Sequence, residues 1–291
     1  MKKVMNHLIS PAQTAYISGR FIGENSRLIY DVIEHANSVP VSGVIMAVDF
    51  EAAFDTVSWS FLTEALAVYN FGSFFIKMIK AFYLNSNNFS RILLEGHLGS
   101  KIHMERGIRQ GDPVSGYLFN MVMEPLTNQM LQSKTIAGIR MEGDREIRLS
   151  QYADDLVIFS KAEVSPIKGV LNELDKFSDV SGLRINVEKT KCLKIGQNIE
   201  TPFLNDIGLS VVNELKVLGI IYSSSTNDIV ARNMQAILPR VSQEITQWKR
   251  RNLTLIGKIT VVKAMLISKM VHVFSTLPNP SDENISIINN L

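Results

Sequence analysis

The sequence predicts an α+β fold, in which an antiparallel sheet carries helices packed on one face. Apolar, strand-like runs at 44–48 and 156–160 are separated by longer segments whose apolar residues recur at helical spacing. Turns near Gly96 and Gly143 indicate two hairpins, which join antiparallel strands. After about residue 225 the pattern is helical to the end, so a separate helical block is predicted there.

The first half of the chain is predicted to run from a helix through a strand to further helices. Residues 24–37 carry apolar side chains at helical spacing. An apolar strand follows and ends at Asp49. Two more helices are predicted, one beginning near Trp59 and one over 73–84, before a hairpin at 89–104.

The second half begins with the clearest helix signal in the chain. Asp112 suits the N-cap and Pro113 suits the first helical position, and apolar residues follow at helical spacing. Pro125 is predicted to kink or shorten the far end of this helix. A hairpin at 137–149 is then predicted to lead into a tight turn at 152–155.

The last third is predicted to pass from a helix to short strands and then to the helical block. A helix over 167–180 ends at Gly182, a residue suited to a C-cap. Short strands are predicted near 193–195 and 215–218. Residues 240–269 contain seven Lys or Arg and one Glu, a local net charge of +6. This charge fits either a phosphate-facing surface or an ordinary solvated helix face.

Composition limits the class of protein. The 291 residues are 46% hydrophobic and 20% charged, which predicts a sizeable core and excludes a disordered chain. A single cysteine, Cys192, excludes an internal disulfide and favours a reducing, intracellular compartment. No apolar run is expected to reach membrane-spanning length, and no secretory signal is recognised. The abrupt ends lead us to expect a fragment of a longer protein.

Three aspartates are the candidate metal ligands. Asp154 and Asp155 are adjacent in a tight turn, and like charges side by side favour a bound cation. Asp49 ends an apolar strand, where a charge is costly unless it is paired or metal-bound. If the two strands are neighbours, the three carboxylates converge and suit two Mg²⁺ or Mn²⁺ ions roughly 3.5–4 Å apart, an arrangement used for in-line phosphoryl displacement. The alternatives are a solvated Asp-Asp turn and a strand-end cap at Asp49.

Six segments together resemble the reverse transcriptases, and more narrowly those of non-LTR (LINE-type) retrotransposons. Three of them resemble palm motifs A, B and C in order, namely Val-Asp-Phe-Glu-Ala-Ala-Phe-Asp at 48–55, Arg-Gly-Ile-Arg-Gln-Gly-Asp-Pro-Val-Ser at 106–115 and Tyr-Ala-Asp-Asp at 152–155. The others resemble the segment ahead of motif A, motif D and the primer-grip motif E, at 13–20, 181–190 and 218–220.

The resemblance implies a polymerase palm with partial fingers and a partial helical thumb. It assigns residues 1–42 to the fingers, 43–222 to the palm and 223–291 to the thumb. It implies an RNA-directed DNA polymerase that adds dNTPs to the 3′-hydroxyl of a DNA primer on an RNA template. A basic fingers segment lies upstream in the family, and the chain is expected to lack it together with the remainder of the polyprotein.

The resemblance also implies residue roles at the metal site. Asp49 and Asp154 are the principal ligands, Asp155 is a weaker one, and Phe50 contributes to both the metal and the substrate site. The ions are two Mg²⁺, with Mn²⁺ as the alternative. Lys189 is implied as the proton donor to the leaving pyrophosphate, although a solvated lysine is the common alternative.

Further residues are implied to contact nucleotide, template or primer. Phe54 is the steric gate that selects deoxyribose, with simple core packing as its alternative. Arg109 reaches phosphate or template, with a surface arginine as its alternative. The remaining contacts are with the nucleotide pocket and the primer end, through Gln110, Gly111, Tyr152, Leu218 and Gly219.

The chain departs from the family pattern at two places. Motif A commonly carries a lysine where Ala52 or Ala53 stands, and motif B usually has a proline where Gly116 stands. Neither change removes a metal ligand. Three alternatives to the polymerase stay open: an inactive relic that at most binds nucleic acid, a palm-like nucleotidyl cyclase, and another reverse transcriptase type such as an intron maturase.

Overall fold

The computed structural model describes residues 1–84, 88–197 and 201–289. A 3₁₀ turn lies at Glu142–Asp144, and a π-helical segment lies at Val262–Ile267. The helices are α1 (Lys2–Leu8), α2 (Ile22–Ser38), α3 (Ala53–Thr56), α4 (Trp59–Val68), α5 (Ser73–Tyr83), α6 (Ser115–Gln132), α7 (Val164–Ser181), α8 (Pro202–Asp206), α9 (Thr226–Lys249), α10 (Leu255–Val261), α11 (Ser268–Thr276) and α12 (Asp282–Asn289).

In the described residues, strands β1, β9 and β10 of the main sheet have six or seven residues, and the other strands have two to four. The strands are β1 (Ser42–Val48), β2 (Phe89–Ser90), β3 (Leu93–Leu94), β4 (His97–Leu98), β5 (Ile102–His103), β6 (Ile139–Arg140), β7 (Glu146–Ile147), β8 (Leu149–Tyr152), β9 (Asp155–Lys161), β10 (Lys191–Gly196), β11 (Ser210–Val212), β12 (Glu214–Val217) and β13 (Ile220–Ser223).

The main sheet has five strands in the order β11-β10-β1-β9-β8. Strand β1 is central and antiparallel to both β9 and β10, whereas β10 and β11 are parallel. The predicted α+β fold with an antiparallel-rich sheet is therefore confirmed. The central position of β1 explains its apolar sequence, because both faces of this strand are buried.

Side chains of β1 alternate between two hydrophobic cores. Val44, Met46 and Val48 pack in the larger core with helices α4, α6 and α7. Ile45 packs in the second core with α2 and the β12–β13 hairpin. Helices therefore cover both faces of the sheet instead of the one face predicted: α4, α6 and α7 pack on one face, and α2 packs on the other with the β12–β13 hairpin.

The helix predicted to begin at Asp112 begins later. Its first residue is Ser115, its N-cap is Val114, and no side chain caps it. Asp112 instead accepts a backbone hydrogen bond from the Ser115 N–H through its carbonyl at 3.1 Å, so the predicted capping role is wrong. Helix α6 also continues through Pro125 to Gln132, so the helix does not end at this proline.

One helical stretch, Leu255–Thr276, is long and apolar enough to cross a bilayer by length and composition. The prediction that no run reaches this length is wrong on that count. Only 17% of its most apolar window is buried, at a mean hydropathy of 1.3. Length and composition alone do not separate a membrane span from an apolar helix of another kind.

Candidate active site

The candidate site is centred on the hairpin that joins β8 to β9. Tyr152 pairs with Asp155, so Ala153 and Asp154 form a two-residue turn in which Ala153 has φ 55°. Val48 pairs with Leu156 in the β1–β9 ladder. Continuing this antiparallel register by one residue places Asp49, which directly follows β1, opposite Asp155 at the same end of the sheet.

The three carboxylates interact electrostatically. The pKa of Asp155 is raised by burial, and further by the negative charges of Asp154 and Asp49. Within the described residues, none of the salt bridges includes any of these three carboxylates. The arrangement is thus a patch of uncompensated negative charge, which favours binding of a cation.

The donor chemistry of this patch fits a hard divalent cation, because carboxylate oxygens are the ligands such ions prefer. Across residues 1–84, 88–197 and 201–289, no three His, Cys, Asp or Glu side chains are gathered closely enough to hold a metal ion as they stand. The carboxylates therefore share an edge and a charge environment, but they form an open site and not a closed ligand cage.

The backbone after β1 is fixed by a short antiparallel bridge between Phe50 and Ile185. The Asn186 N–H donates to the Asp49 carbonyl at 2.8 Å, and the Glu51 N–H donates to the Arg184 carbonyl at 2.8 Å. Because successive backbone groups of an extended chain point to opposite sides, the Phe50 carbonyl faces away from this bridge. The Phe50 carbonyl therefore takes no part in the hydrogen bonds of this bridge, and the Phe50 side chain is buried.

The loop at 186–190 holds the same strand end. The Asp49 N–H donates to the Thr190 hydroxyl at 3.3 Å, and the Thr190 hydroxyl donates to the Asn186 carbonyl at 2.8 Å. Lys189 lies in this loop, and its backbone N–H donates to the Asn186 Oδ1 at 3.1 Å. The side chain of Lys189 is exposed, a few residues from the backbone partner of Asp49.

Phe54 packs in the core and is also partly open to solvent. Its ring stacks on the Phe119 ring, with centroids 4.3 Å apart and planes 14° from parallel. The side chain is half-buried, so one part packs in the core and the other faces solvent. The Phe54 carbonyl accepts from the Ile108 N–H at 2.6 Å, which joins the motif A turn to the motif B loop.

The motif B loop is held at one end and open at the other. A Cβ on Gly107 would lie 2.7 Å from the Asp55 carbonyl oxygen, and the Trp59 Nε1 donates to the Gly107 carbonyl at 2.7 Å. Gly111 has the same φ of 94° as Gly107, but a Cβ added there would meet no atom within 4 Å. Gln110 and Gly111 are exposed.

Arg109 is engaged with protein acceptors. Its guanidinium donates to the Phe82 carbonyl at 3.2 Å and to the Asn88 Oδ1, and it lies 5.8 Å from the centroid of the Tyr83 ring. These contacts tie the motif B loop to α5. Any contact with phosphate must therefore come from the exposed part of this side chain.

Leu218 and Gly219 form the turn of the β12–β13 hairpin, with φ of 49° and 82°. Two positive φ values are typical of a tight hairpin turn that matches the twist of the strands. The His272 Nε2 of helix α11 donates to the Leu218 carbonyl at 2.8 Å. Sequence reasoning missed His272, because no motif joins it to the turn.

Tyr16 is a second residue that sequence reasoning missed. It has φ 59°, is 54% exposed, and its ring covers Gly116, where a Cβ would lie 2.5 Å from a ring carbon. Burial raises the pKa of Tyr16, and the nearby Tyr152 and Asp154 raise it further. The departure of Gly116 from the family pattern thus has a steric reason. The only sequence signal for Tyr16 was its place in the segment 13–20, which resembles the segment ahead of motif A.

Comparison with known proteins places these features in a family. A family profile described as Reverse transcriptase (RNA-dependent DNA polymerase) matches residues 1–222. Similar proteins include the transposon TX1 uncharacterized 149 kDa protein of Xenopus laevis, 27% identical over 275 residues that cover 93% of this chain and 21% of that protein. The Pol polyprotein of the type-2 retrotransposable element R2DM of Drosophila melanogaster is 26% identical over 186 residues, which cover 64% of this chain and 17% of the relative.

Solved structures with the same fold are telomerases from Candida tropicalis. The structure in complex with a TWJ fragment of telomeric RNA has a TM-score of 0.52 and 10% identity, covering 96% of this chain and 50% of the telomerase chain. The apo structure truncated from the C-terminal domain has a TM-score of 0.51 and 12% identity, covering 73% and 39%. The chain therefore spans at most half of any of these proteins, and the structural likeness concerns the fold alone.

Proposed function

The chain belongs to the reverse transcriptase family, and we propose that it is the RNA-directed DNA polymerase core of a non-LTR retrotransposon. The resemblance to that group is confirmed by relatives that are transposon and retrotransposon proteins. One observation carries the proposed activity: antiparallel register sets Asp49 opposite Asp155, beside Asp154 in a tight turn. In this proposal residues 1–42 are partial fingers, 43–222 the palm and 223–291 a partial thumb.

Reverse transcriptase domains use divalent metal ions, and we propose two Mg²⁺, or Mn²⁺, for this chain. Asp49 and Asp154 would hold them, with Asp155 as a weaker ligand and the Phe50 carbonyl as a backbone ligand. When bound, the ions would supply the positive charge that activates a 3′-hydroxyl and stabilises a departing pyrophosphate. The pKa of Asp155 is raised mainly by burial and further by the charges of Asp154 and Asp49, and a bound cation would offset both effects.

The chain's own residues would bind and orient the nucleotide. The exposed part of the Phe54 ring, held by its stack on Phe119, would contact the sugar and exclude a 2′-hydroxyl. Gln110, Gly111 and Tyr152 would line the nucleotide pocket, and Arg109 would approach phosphate or template. Lys189 would donate a proton to the leaving pyrophosphate from its exposed loop beside the backbone partners of Asp49.

The nucleic-acid partner would be an RNA template paired with a DNA primer. Leu218 and Gly219 would position the primer end from a turn that His272 holds in place. The net charge of +6 over 240–269 lies in the helical block and would attract the phosphates of the duplex. An A-form-like hybrid is recognised through its shape and backbone, so little dependence on base sequence is expected.

Primer extension tests this function. The purified chain is given a DNA primer on an RNA template, dNTPs and Mg²⁺, and incorporation is followed on a gel. We expect extension by the wild type and its loss, by roughly a hundredfold or more, in Asp154→Asn, because the change removes a ligand charge at the reacting centre. The matched control is Asp144→Asn, since Asp144 is an exposed aspartate in another turn with positive φ. Equal activity of Asp154→Asn and wild type would refute the proposed site.

The second candidate is a chain that binds primed RNA without extending it. The open arrangement of the carboxylates favours this alternative, since no closed three-ligand cluster exists in the described ranges. A salt-sensitive shift of labelled primer–template in a binding assay, with no incorporation in Mg²⁺ or Mn²⁺, would support it.

A further inference from the structure

Two buried carboxamides bracket the tip of the aspartate turn. Gln13 and Gln151 are each 1% exposed and lie side by side in a parallel bridge. The Gln13 Oε1 accepts from the Ala153 N–H at 3.0 Å, and its Nε2 donates to the Ala153 carbonyl at 3.3 Å. The Gln151 Nε2 donates to the same carbonyl at 2.9 Å. Both backbone polar groups of Ala153 are therefore held by side chains.

The orientation of each carboxamide is set by a second partner. The Gln13 Oε1 also accepts from the Ala15 N–H at 2.9 Å, and the Gln151 Oε1 accepts from the Thr127 hydroxyl at 2.8 Å. Because the Ala153 carbonyl can only accept, both NH₂ groups face it, and each Oε1 is left to its second partner. Neither carboxamide can rotate by half a turn without losing hydrogen bonds in a buried environment.

The turn needs such support because its backbone is strained. Ala153 has φ 55°, a left-handed conformation that is unfavourable for a residue with a Cβ. Its carbonyl belongs to the peptide bond that leads into Asp154, so the orientation of this peptide decides where the Asp154 carboxylate lies. Mutual repulsion among Asp49, Asp154 and Asp155 opposes the same conformation.

We propose that Gln13 and Gln151 are positioning residues, which hold the Ala153 peptide so that the Asp154 carboxylate can bind a divalent cation. The inference rests on the proposed metal site, and it adds residues from outside motifs A to E to that site. Gln13 comes from the segment ahead of α2, and Gln151 comes from β8, so the fold must be complete before the turn is supported.

The test measures metal binding directly. Gln13→Met keeps the length of the side chain and removes both polar atoms. Binding of Mn²⁺ to the purified chain is measured from the electron paramagnetic resonance signal of the free ion. We expect binding to weaken roughly five- to twentyfold, the effect of losing one or two net hydrogen bonds. We expect faster amide hydrogen exchange in the segment 149–156, since the Ala153 N–H loses its acceptor.

The chain offers a matched control. Asn233 is also buried, and its carboxamide brackets the N–H and carbonyl of one residue, Ile221, at 3.0 and 2.7 Å. We expect Asn233→Leu to lower the melting temperature about as much as Gln13→Met and to leave Mn²⁺ binding unchanged. Asp154→Asn shows the full effect of losing a ligand, and Gln151→Met is expected to behave like Gln13→Met.

Unchanged Mn²⁺ affinity in folded Gln13→Met and Gln151→Met would overturn the inference, and so would equal weakening in Asn233→Leu. Metal binding and hydrogen exchange can be measured without catalysis. If the wild type extends no primer but binds Mn²⁺ tightly, and the two Gln variants lose this binding, the result supports the positioning role and contradicts only the polymerase proposal.

Discussion

The stability of the fold should depend on pH through Glu124, a buried carboxyl of helix α6. Glu124 is 2% exposed, its Oε1 accepts from the Ser10 N–H at 2.9 Å, and its Oε2 has no hydrogen-bond partner among the described residues. Burial raises the pKa of Glu124 to about 7, although the Ser10 N–H, Asn128 and Arg20 act in the opposite direction.

The direction in which stability changes with pH follows from proton linkage. The folded state binds this proton more tightly than the unfolded state, where the pKa is 4.5. The stabilisation is therefore fully present below pH 4.5 and is lost as the pH rises through about 7. At roughly 1.4 kcal/mol for each pKa unit, the free energy of unfolding should fall by roughly 3 kcal/mol across this window because of Glu124.

Urea unfolding at a series of pH values between 4.5 and 8 measures this dependence. We expect Glu124→Gln, which cannot ionise, to flatten the curve and to be more stable than the wild type at pH 8. Glu142→Gln, a change at an exposed carboxylate, is the control and should leave the curve as it is. Parallel curves for wild type and Glu124→Gln would refute the reasoning, since the ionised form would then cost nothing.

Three further predictions concern the motif A and motif B turns and the single cysteine. The Phe54→Ala variant should incorporate ribonucleotides, because the exposed edge of the ring no longer excludes the 2′-hydroxyl, and its free energy of unfolding should fall by roughly 3 kcal/mol, because the stacked face is lost from the core. Paired rNTP and dNTP extension assays check the first effect, and urea unfolding checks the second. Unchanged sugar discrimination would contradict the role of Phe54 as a steric gate. Gly107→Ala should lower the free energy of unfolding by at least about 2 kcal/mol more than Gly111→Ala, because both glycines have φ 94° but only Gly107 lies against a carbonyl. Equal melting temperatures of the two variants would show that the backbone at Asp55 moves to accommodate the new Cβ. Burial raises the pKa of the Cys192 thiol to about 12. Iodoacetamide at pH 8 should therefore modify this cysteine only when the chain is unfolded in urea. Rapid modification of the native chain would contradict the burial of Cys192.

Local patterns identified the candidate site because its parts are local in sequence. The apolar run that ends at Asp49 and the turn containing Asp154 can each be recognised from a few neighbouring residues, and the structure places their strands side by side. The three carboxylates do not form a closed cluster in the described residues. The prediction needed only that β1 and β9 be neighbours. The metal roles, the nucleotide contacts and the domain boundaries stay predictions.

Local patterns were less successful where a tertiary contact competes with propensity. Asp112 and Pro113 are favourable for a helix start, but the helix begins at Ser115, whose hydroxyl donates to the Arg109 carbonyl. Pro125 lies inside α6 without ending it, since burial on the sheet stabilises the helix on both sides.

The sequence by itself determined the α+β class and the two central strands β1 and β9, and it identified the three aspartates as candidate metal ligands, because hydrophobic periodicity and charge act over a few residues. Only the tertiary structure decided how the aspartate turn and the β12–β13 turn are held. The carboxamide of Gln13 reaches Ala153 across 140 positions of the chain, and His272 reaches the Leu218 carbonyl across 54. Hydrogen bonds of this range depend on the packing of several elements, so no single segment of the sequence signals them.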